Sequence, residues 1–346
     1  MILYYPTFRR ICLRITLAAC AVVLCSVSLR AQQQRDVQAG VIRVQVSEEL
    51  AATLERTAGT RSAGGPMRTG FVALDEVNLV HKAQHMTRIF RPAGKFEAKH
   101  RRYGLHLWYE IRMDKSVGIT TALAKYRGIK GIRKAEPIYK KALIGSPGNA
   151  GPVVVPLSAT PATLPAGAND PQLPKQWHYD NTGQTGGTAH ADINLFKAWG
   201  IETGNRNVIV AVTDGGIDNK HEDLSANIWV NAGEIPNNFK DDDNNGYVDD
   251  VNGYDFINND GPITPSYHGT HVAGTIAAVT NNGVGVAGIA GGSGQNDGVR
   301  LMSCAIFDDG SANGADPSAM ADGYVYAADN GALISQNSWG YTDADV

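Results

Sequence analysis

Val208 to Val212 reads Val-Ile-Val-Ala-Val, an uninterrupted apolar run that closes on Thr213-Asp214-Gly215-Gly216-Ile217-Asp218. A strand with one wet face would alternate apolar with polar residues. A run with no polar residue needs cover on both faces, the setting of a parallel strand between two layers of helices. Neighbouring parallel strands must then be reached by long crossovers, which favours an α/β fold. The chain downstream agrees. His268 opens a stretch rich in Ala and Gly, Asp316-Pro317 and Asn330-Gly331 bracket a helix over 317–329, and Ala332 to Gln336 returns as a strand. Asp214 falls at the carboxyl end of the apolar strand, where open α/β sheets collect their sites.

His268-Gly269-Thr270-His271-Val272-Ala273-Gly274-Thr275 is the second informative stretch, and its small residues permit close helix packing. An Asp-Gly-Gly after a strand is by itself an ordinary turn, and a His-Gly-Thr-His by itself an ordinary helix start. Taken together in this order they supply an acid and a base. A metal site on His268 and His271 is the competing reading; no Glu stands between them and no third ligand lies nearby in sequence, which counts against zinc.

The Asp-then-His order in strand and helix contexts resembles the subtilisin-like serine proteases. The likeness covers about Asn169 to Gly340. Asn169-Asp170-Pro171, Gln176-Trp177, Ile193-Asn194 and Ala198-Trp199 are similar to that family's approach to the Asp strand. Ser335-Gln336-Asn337-Ser338-Trp339-Gly340 is similar to its substrate-binding strand. The resemblance implies a subtilisin-like parallel sheet with flanking helices, incomplete here. It makes Asp214 the orienting acid and His268 the general base, and places Ser338, Trp339 and Gly340 along the substrate backbone. Gly215 departs from the family pattern, which has Ser or Thr there. The family's oxyanion Asn and Gly-Thr-Ser segment are not found; the Gly-Thr pairs precede Arg61, Ala189, His271 and Ile276, and none is followed by Ser. The nucleophile is therefore expected beyond Val346, and hydrolysis is not expected from these 346 residues alone.

The resemblance also implies structural calcium. Asp223 and Asn282 match family calcium positions, with Asp170 as an N-terminal ligand and the backbone carbonyls of Val279, Val284 and Val286 completing the set; Asn281 and Asn282 remain alternatives. A second calcium expectation comes from the residues themselves. Asp241-Asp242-Asp243-Asn244-Asn245-Gly246-Tyr247-Val248-Asp249 reproduces the first nine positions of an EF-hand-type loop, with Asp241, Asp243, Asn245, the Tyr247 carbonyl and Asp249 as ligands. Asn252 stands where the twelfth-position Glu would be, and a solvated acidic loop is the plain alternative.

The net charge of −3 conceals an asymmetry: residues 1–30 carry +4, 31–150 carry +11 and 151–346 carry −18. Two readings stand. Either the basic segment docks on the acidic one, or each half is separately soluble. Arg9, Arg10 and Arg14 precede an uncharged apolar stretch from Ile15 to Leu29, which reads as a signal peptide over 1–31. A lipoprotein box at Leu17-Ala18-Ala19-Cys20 and an uncleaved anchor are alternatives. Residues 32–143 read as a small α+β unit with a strand at Val41 to Val46, a helix after Ser47, a strand near His106 to Met113, a helix over Ile119 to Tyr126 and a last extended segment from Gly131 to Tyr139. Its place in the chain implies the family's inhibitory propeptide. Residues 144–168 are rich in Pro, Gly and Ala and uncharged, a linker before the 169–346 domain. Cys12, Cys20 and Cys25 fall in the export segment. Cys304 is left alone in a buried strand, so no internal disulfide is expected.

The resulting expectation is a secreted, monomeric endopeptidase precursor that binds Ca²⁺, acts on peptide or protein substrates and is bound by its own propeptide. It takes no nucleic acid and meets a membrane only during export or through an N-terminal anchor. The alternative is a non-catalytic secreted protein, either a calcium-dependent binding module or a protease inhibitor.

Overall fold

The computed structural model describes residues 37–57, 67–143, 168–308 and 317–341. The expected export segment and linker lie outside these residues, apart from Ala168.

The N-terminal unit runs β1 (Val37–Val46), α1 (Glu48–Thr57), α2 (Val72–Val80), β2 (Ala83–Arg88), α3 (Glu97–Arg102), β3 (Trp108–Met113), α4 (Ile119–Arg127) and β4 (Ile132–Tyr139). Its antiparallel sheet has the order β2-β3-β1-β4. Ile42, Val44 and Val46 alternate inward from β1 onto Leu50 and Leu54 of α1 and Leu123 and Tyr126 of α4. Ser47 starts α1, its Oγ accepting the Leu50 N–H at 3.3 Å.

Sequence reasoning missed three elements here. Helix α2 begins after Phe71 with no side-chain cap; instead Asp75 reaches back to accept the Thr69 N–H at 2.6 Å and the Thr69 hydroxyl at 2.7 Å. Strand β2, Ala-Gln-His-Met-Thr-Arg, lies at a sheet edge and buries little beyond Ala83 and Met86, so it carries no period of two. Helix α3, Glu-Ala-Lys-His-Arg-Arg, buries only His100 and has no apolar face to read.

A short strand β5 (Lys141–Leu143) leaves the first unit. The second unit contains α5 (Leu195–Ala198), β6 (Ile209–Asp214), β7 (Gly253–Asp255), α6 (Tyr267–Ala277), β8 (Arg300–Ala305), α7 (Pro317–Asp329), β9 (Ile334–Gln336) and β10 (Trp339–Tyr341). Its sheet is parallel throughout, in the order β7-β8-β6-β9. Every residue of β6 is buried. Val210 and Val212 face Ala273 and Ala277 of α6, while Ile209 and Ala211 face Met320 and Tyr326 of α7. The doubly covered strand is the physical reason that the run had no room for a polar residue. Cys304 lies fully buried in β8, and burial pushes its thiol well above the ordinary range.

The two units meet through opposite charges. Arg91 Nε donates to Asp322 Oδ2 at 2.7 Å, Lys95 Nζ to Asp243 at 2.8 Å and Lys99 Nζ to Asp329 at 2.6 Å, each cation coming from the N-terminal unit. His100 Nε2 also lies 2.6 Å from Asp329. Burial works against the Arg91 charge, and Asp322 together with Tyr247 and Tyr254 more than offsets it, leaving Arg91 above its ordinary value. Main chain joins the units as well, β5 pairing antiparallel with β10 through Lys141–Tyr341, Ala142–Gly340 and Leu143–Trp339.

Candidate active site

Asp214 is the last residue of β6 and His268 the second residue of α6. Ser266 caps α6, its Oγ accepting the Gly269 N–H at 3.2 Å, which orients the first turn toward the strand end. His268 Nδ1 and Asp214 Oδ1 are 2.7 Å apart. Asp214 is fully buried and His268 is 8% exposed. A carboxylate only accepts, so Nδ1 carries the proton, and in the neutral imidazole Nε2 is the basic nitrogen. The Gly215 N–H donates to the same Asp214 oxygen at 2.7 Å, so main chain supplies a contact where the family pattern has a hydroxyl residue.

The glycines of both motifs make this contact possible. A Cβ on Gly269 would stand 2.4 Å from the Gly216 carbonyl oxygen, and one on Gly216, at φ +106°, would stand 2.3 Å from the Thr264 oxygen. The turn after Asp214 and the first turn of α6 therefore touch backbone to backbone.

Trp339 and Gly340 lie in β10, directly after Ser338. Trp339 Nε1 donates to the Thr213 carbonyl at 3.2 Å, fastening this strand beside the residue that precedes Asp214. Its backbone edge is taken by β5, and Lys141 Nζ sits 4.6 Å from the centre of the Trp339 ring. Ser338 Oγ accepts from Gln336 Nε2 at 2.6 Å.

The residues expected around the first calcium position converge. Asp170 and Asp223 are each 2% exposed. Asp170 accepts the Asn281 and Asn282 N–H groups at 2.9 and 3.3 Å, and Asp223 accepts Asn282 Nδ2 and the Val286 N–H, both at 2.8 Å. Asn282 faces Asp223, whereas Asn281 donates to Ser293. Among the described residues no hydrogen bond reaches the carbonyls of Val279, Val284 or Val286. Burial pushes the Asp223 carboxyl up, and the Asp170 charge adds to it. Two buried carboxylates drawn together with the Asn282 side chain form an oxygen-rich cluster of the kind a hard cation accepts.

Asp241 and Asp243 do come together, and the third member of their cluster is Glu234, with one oxygen of each within 4.8 Å of the others. Asn245 and Asp249 are engaged elsewhere. Asn245 accepts the Tyr247 N–H at 2.8 Å and donates to Asp250 at 2.9 Å, and Asp249 accepts the Asn238 and Phe239 N–H groups at 3.1 and 2.9 Å. Asp249 sits at φ +54° and curls back on its own loop. Glu234 precedes the motif and belongs to no spacing pattern within it, so its role was visible only once the loop was folded.

Residues 205–345 match the family model of the Subtilase family. The chain resembles Subtilisin-like protease 1 of Plasmodium vivax, 48% identical over 101 residues, which cover 29% of this chain and 15% of that protein. It also resembles Neuroendocrine convertase 2 of Caenorhabditis elegans, 32% identical over 185 residues, covering 51% of this chain and 23% of the relative. The chain thus spans less than a quarter of the length of either relative. Among solved structures, fervidolysin from Fervidobacterium pennivorans, a keratinolytic enzyme related to subtilisin, aligns over 89% of this chain and 36% of its own at 21% identity, with a TM-score of 0.48.

Proposed function

We propose that this chain is a subtilase, the precursor of an exported serine endopeptidase that hydrolyses peptide bonds with Asp214, His268 and a serine placed by the resemblance beyond Val346. The observation that carries the reading is the 2.7 Å contact between His268 Nδ1 and the buried Asp214 carboxylate. In acyl transfer the His268 Nε2 takes the proton of the attacking hydroxyl and later returns it to the leaving amine. Asp214 holds the tautomer in which that nitrogen is basic and stabilises the imidazolium that forms.

Substrate binding is assigned to Ser338, Trp339 and Gly340 by strand addition, in which main-chain hydrogen bonds hold an extended peptide whatever its side chains. The pairing of Lys141–Leu143 with Trp339–Tyr341 supports an inhibitory N-terminal unit, since β5 takes the edge a substrate would need. Residues 1–31 act as the export signal, 32–143 as the propeptide and 144–168 as the linker in which processing falls. Calcium is assigned as a structural ion at the Asp170, Asp223 and Asn282 cluster with the carbonyls of Val279, Val284 and Val286, and at the acidic loop. When bound it supplies charge compensation and no chemistry to the reacting bond.

The test uses the protein expressed from the gene that carries this sequence, assayed on unfolded protein and labelled with a fluorophosphonate. Hydrolysis and labelling that both vanish in His268→Ala support the reading. Absence of both from the wild-type protein after processing would leave the non-catalytic binding or inhibitory reading in its place.

A further inference from the structure

Glu234, Asp241 and Asp243 each place one carboxylate oxygen within 4.8 Å of the other two. Acidic residues often cluster on surfaces, but this cluster is held from below. Glu234 is 8% exposed, and its Oε1 accepts the Asp242 and Asp243 N–H groups at 3.0 and 3.2 Å. Its Oε2 is buried with no hydrogen-bond partner, and so is Asp243 Oδ1. A buried anionic oxygen without a partner is costly, and two of them in one carboxylate cluster call for a cation.

One cation is already at the edge of the cluster. Lys95, in the turn before α3 of the N-terminal unit, places Nζ 2.8 Å from Asp243 Oδ2, and it is the only ion pair of these three carboxylates among the described residues. The turn sits on the loop itself. The Lys95 N–H donates to the Asn244 carbonyl at 2.7 Å, and a Cβ on Gly94 would stand 2.2 Å from that same oxygen. Three carboxylates against one ammonium leave two negative charges, the complement of one divalent ion. All-oxygen donors select Ca²⁺ or Mg²⁺ over a thiophilic metal.

We propose that Glu234, Asp241 and Asp243 form a divalent-cation site at the joint of the two units, and that the Lys95 ammonium opposes the cation there, so that cation binding and docking of the N-terminal unit weaken each other. Lys95 and the ion draw on the same carboxylate of Asp243 and repel one another across it. By linkage, whatever factor Lys95 takes from the affinity for the ion, the ion takes from the affinity between the units. Release of the N-terminal unit then leaves a tighter ion behind on the second unit.

The inference builds on the assignment of a cation to the acidic loop, and the variants separate the two. Calcium and terbium are titrated into the full 346-residue chain, wild type and variants, by calorimetry and by Tb³⁺ luminescence, at fixed ionic strength. Glu234→Gln keeps the shape of the side chain and is expected to weaken one class of sites at least about tenfold. Asp249→Asn removes equal charge from the same loop and is expected to change that class less than about threefold. Lys95→Gln alters a side chain that is 40% exposed, a change the fold tolerates, and is expected to tighten the same class about fivefold or more. Equal losses in Glu234→Gln and Asp249→Asn would return the ion to the nine-position loop and overturn the site. An unchanged or lowered affinity in Lys95→Gln would overturn the coupling, and no binding class sensitive to any loop carboxylate would remove the loop cation altogether.

Discussion

Asp214 accepts the His268 Nδ1–H at 2.7 Å, and a carboxamide in its place would present that proton with a competing N–H. Under the proposed endopeptidase activity, Asp214→Asn is therefore expected to lower kcat about 10⁴-fold through the wrong histidine tautomer, with little change in KM, as read from steady-state peptide hydrolysis. Gly269→Ala acts through sterics. Its Cβ would stand 2.4 Å from the Gly216 oxygen, inside contact distance, and that neighbour is backbone held in turn against Thr264. The variant is expected to lose about 1–3 kcal/mol in urea unfolding and to move His268 away from Asp214. Cys304 is the mildest case. Its thiol is buried and pushed up by burial, so a disulfide reagent is expected to modify it only after denaturation, which a thiol titration in and out of guanidinium measures.

Among the elements, β6 was the most legible and β2 the least. Continuous burial leaves a continuous apolar run, whereas an edge strand that buries only two side chains leaves no period to find. Helix α7 runs from Pro317 to Asp329 because Pro317 suits its first turn and Gly331, at φ +86°, ends the chain's helical course. The β5–β10 pairing belongs to a different class of information. Nothing in Lys141-Ala142-Leu143 announces a partner some 200 positions away, and the pairing exists because the two units dock with their edges aligned. A proline cannot serve a ladder from within, so Ala142→Pro is expected to free β10. Hydrogen exchange at the Trp339–Tyr341 amides should then quicken while β6 amides keep their protection; unchanged exchange at β10 would show that the pairing adds nothing to its stability.

At the scale of the whole molecule the joint between units is the informative feature. Arg91 is packed 4.5 Å from the centre of the Tyr247 ring, and Tyr247 shares Asp322 with it by donating to the other carboxylate oxygen at 2.9 Å. The Asp322 side chain is 5% exposed, so Arg91→Ala strands a buried carboxylate. A loss of about 3–5 kcal/mol is expected, most of it in the association of the units, and it should show as an early transition in thermal unfolding that the wild type lacks. Chelation should act on the second unit. If Asp170, Asp223 and the acidic loop hold calcium, removing it with a chelator lowers the melting temperature of that unit and leaves the N-terminal sheet unaffected.

The amino-acid sequence alone determined the doubly covered parallel strand, the placement of Asp214 and His268 at a strand end and a helix start, and the opposite charges of the two halves. Each of these is a local pattern or a sum over residues, and it survives without knowing what packs against what. Tertiary structure decided the rest. Glu234 joins Asp241 and Asp243, Lys95 reaches Asp243, and β5 covers β10 because folding brings together groups with no fixed spacing along the chain. The loop's internal bonds were likewise hidden in the spacing: Asn245 and Asp249 are held by nearby backbone N–H groups and by the buried Asp250.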